Sequence, residues 1–350
     1  MFINNILKIS KTVLINFIIL LSIIIFLEIF LGTWFKNNFK YKLSSERNIN
    51  RIYKFDFDYH KGTSHYVRNS DGFRVKDDNF DPSLIEIVFV GGSTINQKFI
   101  NFDKTIVGII SNKSKNFKIA NSGVDGMSIK GHINSFEFWF DKIKNFNPKY
   151  FIYVIGINDR YLVENLSFRD HVDNLEESSL KGNIREYLES NSFFYKQARY
   201  LKSLLFLKYN LEIGTNRVKR NHVYLERNKK EFISYKDREN AFDKLNFEEK
   251  DKYLKFEIWY LNQLEQLTSK VKQKGAEPIF ITQTTGYGHS FESFFVAKTI
   301  MKHCSNKILV CVNVAKDLNL KYEDFYDESH LNRSGSQKFA DFIYKKLKIF

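Results

Sequence analysis

Cysteine is nearly absent from this chain of 350 residues, with two in all, Cys304 and Cys311. His303 beside Cys304 has no second spaced pair to join it, which argues against a metal site. The two cysteines are close enough to pair in an oxidising compartment. Cys311 lies within Ile-Leu-Val-Cys-Val-Asn-Val, however, and reads as a buried free thiol on a strand. Proline is also scarce, at three, in a chain rich in Lys, Asn, Ile and Phe. That bias can belong to the genome as readily as to the protein. No G-x-G-x-x-G is present, and no Lys-Ser or Lys-Thr follows the glycines of Gly91-Gly92-Ser93-Thr94, so a phosphate-binding loop is disfavoured. No zinc-finger, homeodomain or RNA-binding signature appears, so nucleic acid is not an expected partner. No internal repeat is visible.

What the chain does have is one long apolar run. Thr12 to Phe35 is broken only by a few polar residues and Glu28. As a helix it would extend roughly 35 Å, enough to cross a bilayer core of about 30 Å. No small-x-small cleavage site follows it, which favours an uncleaved signal anchor over a removed signal peptide. Glu28 reads as a charge tolerated near the membrane interface. Lys8 and Lys11 precede the span and Lys36, Lys40 and Lys42 follow it, so the positive-inside rule leaves orientation open. The net charge of +14 could attract anionic headgroups or acidic glycans.

Beyond the anchor, residues 36–82 are polar and aromatic, with a turn signal at Asn69-Ser70-Asp71-Gly72-Phe73-Arg74. They are expected to pack on the following domain. From residue 83 onward the chain alternates strand and helix. Apolar strands are read at Leu84–Val90, Phe117–Ala120, Tyr150–Ile155, Pro278–Thr282 and Ile308–Val314. Helices are read at Phe102–Ser111, His132–Lys144, Tyr253–Lys274, Phe291–His303 and Ser334–Leu347, the last with Ser334 as its cap. This alternation implies an α/β protein with a five-stranded parallel sheet between helical layers. Between about 160 and 250 the alternation fails. Arg217–Lys230 is strongly basic and reads as a solvated face or lid, or as a surface for an anionic substrate.

Acyl transfer by serine needs a hydroxyl, a base, a group that orients the base, and donors for the oxyanion. Each is available just past a strand's carboxyl end, where open α/β sheets bind ligands. Ser93 supplies the hydroxyl. His330 is the candidate base, and Asp327, three residues earlier on the same loop, can orient it. The backbone N–H groups of Ser93 and Gly126 and the side-chain amide of Asn158 are the candidate oxyanion donors. Gly123 is the alternative glycine. His60, His65, His132, His171, His222 and His289 have no carboxylate at a readable spacing and are assigned no role.

Four blocks in order carry a family resemblance: Gly-Gly-Ser93-Thr, Asn121 to Gly126, Gly156-x-Asn158-Asp159, and Asp327-x-x-His330. Over about Ile85 to Leu347 the chain resembles the SGNH hydrolases, also called GDSL-type esterases. The resemblance implies a flavodoxin-like three-layer sandwich. It implies that Ser93, His330 and Asp327 form a triad and that Gly126 and Asn158 complete the oxyanion hole. It implies work without metal or organic cofactor. The usual Asp before the serine is replaced by Gly92, which is similar to membrane-anchored members of the family. The expectation is a membrane-tethered esterase, its domain outside the cytoplasm, acting on an acyl ester of a glycan or lipid. A polysaccharide O-acyltransferase and a non-catalytic glycan-binding protein are the alternatives. The ester and the oligomeric state are not legible.

Overall fold

The computed structural model describes residues 2–35, 47, 49–57, 59–76, 80–114, 116–167, 184, 187, 188, 191–209 and 231–350. The basic run Arg217–Lys230, His171 and His222 lie outside the described residues.

A strand with no polar side to turn to water must be covered on both faces. Ile87–Gly91 is such a strand, with every residue buried. In chain order the strands are β1 Ile49–Phe57, β2 His60–Arg68, β3 Arg74–Val75, β4 Ile87–Gly91, β5 Ile119–Asn121, β6 Tyr150–Val154, β7 Glu277–Ile281 and β8 Cys311–Val312. They form one sheet in the order β1-β2-β3-β5-β4-β6-β7-β8. From β5 to β8 all neighbours run parallel. β1, β2 and β3 join through antiparallel pairs, ending with Arg74 opposite Asn121.

The expected five-stranded parallel sheet is therefore corrected to an eight-stranded mixed one. The three extra strands come from residues 49–75, a stretch too polar to read as a two-sided strand. Only one face of β1 is covered: Ile49, Phe55 and Phe57 are buried while Asn50, Lys54 and Asp56 are exposed. Phe55 and Phe57 pack with Phe99 and Tyr326 in a small cluster of their own.

Side-chain alternation along the central strands divides the main core in two. Val88, Val90, Phe151, Tyr153 and Phe280 point to helices 129–138, 247–273 and 291–307. Ile87, Phe89, Ile152, Val154, Ile279 and Ile281 point the other way, to helices 106–113 and 333–346. Helix 247–273 starts earlier than its periodicity indicates because Asn246 and Glu249 form a capping box. The last helix is capped by Asn332, whose Oδ1 accepts from Gly335 N at 3.1 Å, and not by Ser334. Ser334 instead donates to Asp324 at 3.1 Å.

Cys304 and Cys311 are joined in a disulfide, which corrects the reading of Cys311 as a free thiol. Helix 291–307 continues past His303, and Ile308 caps it in the left-handed region at φ 53°. The chain then reverses and carries Cys311 back past Cys304. The strand is consequently only two residues long.

The first helix, Phe2–Leu31, contains a stretch, Lys11–Leu31, long and apolar enough to cross a membrane, with mean hydropathy 2.9. Its Glu28 is not simply a tolerated charge. The carboxylate accepts from Phe193 N and Phe194 N, both at 2.9 Å, and from Trp34 Nε1 at 3.0 Å. It satisfies the first amides of helix 193–209, which would otherwise lack partners.

His60, His132 and His289 are each at most 4 % exposed. Burial holds the imidazoles of His60 and His289 down to about 4 and that of His132 to about 3. Unfolding releases three groups that titrate near 6.5. Between pH 6.5 and about 4 the unfolded chain binds more protons, so the stability these groups contribute is present above pH 6.5 and lost as pH falls. The expected loss is roughly 2 kcal/mol per histidine by about pH 4.5. Thermal melts followed by circular dichroism should show Tm falling steadily over this window. A flat Tm from pH 7 to 4.5 would contradict the assignment of neutral buried rings.

Candidate active site

Three loops that follow parallel strands supply the site. β4 ends at Gly91, and Ser93 opens the short helix Ser93–Asn96. β5 leads into Asn121–Met127, and β6 into Gly156–Asp159. The fourth component, Asp327–His330, lies between Tyr322–Asp324 and the last helix. Because β4, β5 and β6 are parallel neighbours, their loops open on one edge of the sheet.

The structure brings Ser93, His330 and Asp327 together. Ser93 Oγ and His330 Nε2 are 2.6 Å apart. His330 Nδ1 and Asp327 Oδ2 are also 2.6 Å apart. Asp327 Oδ1 accepts from the backbone N–H of Ser329 at 2.9 Å and of His330 at 2.7 Å. Burial raises the pKa of Asp327, but the hydrogen bond and charge of His330 and these two amides outweigh it, and the carboxyl sits below its usual range. An ionised Asp327 favours the Nδ1–H tautomer of His330, which turns the Nε2 lone pair toward Ser93 Oγ.

Asn158 Nδ2 donates to the carbonyl of Met127 at 2.8 Å. A primary amide has two donors, so one N–H remains for another acceptor. Gly92 lies against this amide: a Cβ at position 92 would sit 2.5 Å from Asn158 Nδ2. The two candidate glycines differ. Gly123 is buried, its N–H donates to Asn121 Oδ1 at 3.0 Å, and its carbonyl accepts from Arg68 at 2.6 Å. Gly126 is exposed, and its φ of 76° needs glycine. Among the described residues its N–H has no recorded acceptor.

The cleft over Ser93 has a volume of about 280 Å3 and is lined by Phe57, Phe99, Tyr326 and the pair Lys98–Asp125. Several of these residues were not found by reading the sequence. Lys98 Nζ lies 2.6 Å from Asp125 Oδ2, and Asn96 Nδ2 donates to Asp125 Oδ1 at 2.8 Å. Burial pushes Asp125 up, but Lys98's charge and hydrogen bond, helped by Asn96, bring it down to about 2. Lys98, also penalised by burial, is raised by the same carboxylate. The pair ties the loop carrying Gly126 to the turn after Ser93. His330 stacks on Tyr326 at 5.4 Å and 7°, and Tyr326 stacks in turn on Phe57 and His60. His60 thus backs the aromatic wall of the cleft.

The Asn69–Arg74 turn also has a structural use. Asn69 Oδ1 accepts from Asp71 N and Phe73 N. The buried Arg68 and Arg74 reach the carbonyls of Gly123 and Asn96, bracing both loops. Burial lowers Arg74 to about 10, still cationic at neutral pH. Asp159 accepts from Ile129 N at 2.7 Å and Tyr260 OH at 2.8 Å, so it anchors the loop that carries Asn158. No group of three or more His, Cys, Asp or Glu among the described residues could hold a metal ion.

No protein-family model and no curated protein matches this chain. Among solved structures it is similar to a member of the lipolytic protein G-D-S-L family from Veillonella parvula DSM 2008, at 12% identity and a TM-score of 0.42, over 76% of this chain and 100% of that one. It is also similar to a catalytic mutant of Axe2, an acetylxylan esterase from Geobacillus stearothermophilus, at 11% identity and a TM-score of 0.41, over 76% and 95%. The first is described by the family name that the four sequence blocks resemble. Likeness at this level carries no argument about chemistry, which rests on the distances above.

Proposed function

We propose that this chain is a membrane-anchored serine hydrolase of the SGNH type that cleaves a short-chain acyl ester through an acyl-serine intermediate. The observation that carries the proposal is the continuous relay from Asp327 through His330 to Ser93, both links at 2.6 Å. His330 Nε2 takes the proton as Ser93 Oγ attacks the ester carbonyl. The negative charge that develops on the carbonyl oxygen is met by the N–H groups of Ser93 and Gly126 and the second N–H of Asn158. Gly126 is preferred to Gly123 because the latter's amide is already engaged with Asn121. Collapse expels the alcohol, which leaves with the proton from His330. Water then attacks the acyl-serine by the same route and releases the acid.

The cleft volume is at the small end for ligand sites, and the rings of Phe57, Phe99 and Tyr326 lie beside the nucleophile. Both features favour a small acyl group such as acetyl. The alcohol would belong to a glycan or lipid at the cell surface. The Cys304–Cys311 disulfide supports a domain outside the cytoplasm, where such bonds persist. Residues 83–350 would carry the catalytic residues, and residues 36–82 would run from the anchor to the domain and complete its sheet with strands β1 to β3.

The test is covalent labelling. The full chain in detergent micelles, treated with a fluorophosphonate, is expected to carry one adduct, and peptide mapping should place it on Ser93. An unlabelled protein, or an adduct elsewhere with Ser93 intact, would overturn the assignment.

A further inference from the structure

Helix 193–209 has a surface that the esterase proposal does not use. Phe194, Ala198 and Leu201 are exposed, and their i, i+4, i+7 spacing puts them on one helical face. Phe194 is 37% exposed and Leu201 55%. Tyr200 packs instead toward the sheet, its ring 6.3 Å from that of His65 on β2. Gln197 is exposed beside them and Lys202 borders the same face, whereas Lys196 lies on the opposite side with Tyr200, lining a cleft against Arg68 and Asn69.

The attachment of this helix to the anchor sets its height. Glu28 accepts from the amides of Phe193 and Phe194. Thr33 N donates to Asn191 O at 2.9 Å, and the Trp34 and Tyr187 rings meet edge to face at 5.5 Å. Glu28 is in the last turn of the span Lys11–Leu31. Three residues of helix separate it from Leu31, a rise of about 4.5 Å. The helix therefore begins at the depth where hydrocarbon gives way to headgroups, and Trp and Tyr are enriched at that depth.

We propose that helix 193–209 is an interfacial membrane-docking helix. Its Phe194–Ala198–Leu201 face enters the headgroup–acyl boundary of the leaflet from which the span emerges, and Lys202, at the edge of that face, meets anionic headgroups. Apolar burial and electrostatic attraction act together in such helices. Docking would hold the β1–β2 hairpin, and with it Phe57 of the cleft, at a fixed orientation to the bilayer. The inference rests on reading Lys11–Leu31 as a membrane span.

The test uses the full chain in vesicles of phosphatidylcholine and phosphatidylglycerol. The disulfide leaves no free cysteine, so Leu201→Cys, Leu21→Cys and Lys255→Cys can each take a single environment-sensitive fluorophore. The side chain of Lys255 is 73% exposed on helix 247–273, making it an aqueous reference. The probe at 201 is expected to be blue-shifted and quenched by nitroxides placed near the headgroups. The probe at 21 should be quenched by deep nitroxides, and that at 255 by neither. If 201 behaves like 255 while 21 is quenched, docking is overturned and the span stands. If 21 is not quenched, the span falls and docking falls with it.

Discussion

Ser93→Ala is expected to lower kcat/KM for p-nitrophenyl acetate by on the order of 10³-fold or more. The basis is geometric. Ser93 Oγ is 2.6 Å from His330 Nε2, at the floor of the cleft it helps to line. Removing the hydroxyl removes the atom to be acylated. It should cost the fold little, because Ser93 is partly exposed and the partner its hydroxyl loses, His330, is partly exposed as well. His330→Ala should lose a comparable amount. The double variant should be no worse than either single one, since nucleophile and base act as a unit. Initial rates with circular-dichroism melts of the same samples separate lost chemistry from lost structure. Wild-type rates in Ser93→Ala would remove this residue from the reaction.

Why that serine was legible in the sequence follows from the sheet. β4 and β6 are buried on both faces, so their apolar runs stand out and end sharply at Gly91 and before Gly156. Polar residues just past such ends fall at one edge of the molecule. Strands β1 to β3 do not announce themselves in this way. β1 buries Ile49, Phe55 and Phe57 on one face, and β2 interleaves Ser64, Tyr66 and Arg68 among polar residues. A strict period-two count over Ile49–Phe57 was the available signal. The disulfide, though open as an alternative, was ranked below a free thiol because the sequence around Cys311 has strand character, whereas the helix carrying Cys304 runs to Lys307 before the chain turns back. Contacts between distant charges are hidden more deeply. Lys98 and Asp125 are 27 positions apart, and Glu28 lies 165 positions from the amide of Phe193. Nothing local distinguishes these side chains from solvated ones. Only the folded loops bring Lys98 to the cleft, and only the fold brings the amides of Phe193 and Phe194 to Glu28.

Asn158→Ala is expected to lower kcat by about 10²- to 10³-fold with KM nearly unchanged, because its amide would act on charge that exists only in the transition state. The loss of a side chain that donates to Met127 O at 2.8 Å should leave the surrounding loop in place, since Asp159 continues to hold Ile129 N and Tyr260 OH. Gly92→Ala provides an independent route to the same amide. Its new Cβ would meet Asn158 Nδ2 at 2.5 Å, closer than the two atoms can approach, so the amide is displaced from the position it holds beside Met127 O. A smaller fall in kcat, again without a matching change in KM, is the expected result. Asn158→Ala combined with Gly92→Ala should then add little to Asn158→Ala alone, because the second substitution acts only through the side chain that the first removes. Additive losses would mean that Gly92 affects the reaction by another path, and an unchanged kcat in Asn158→Ala would take this amide out of the oxyanion hole.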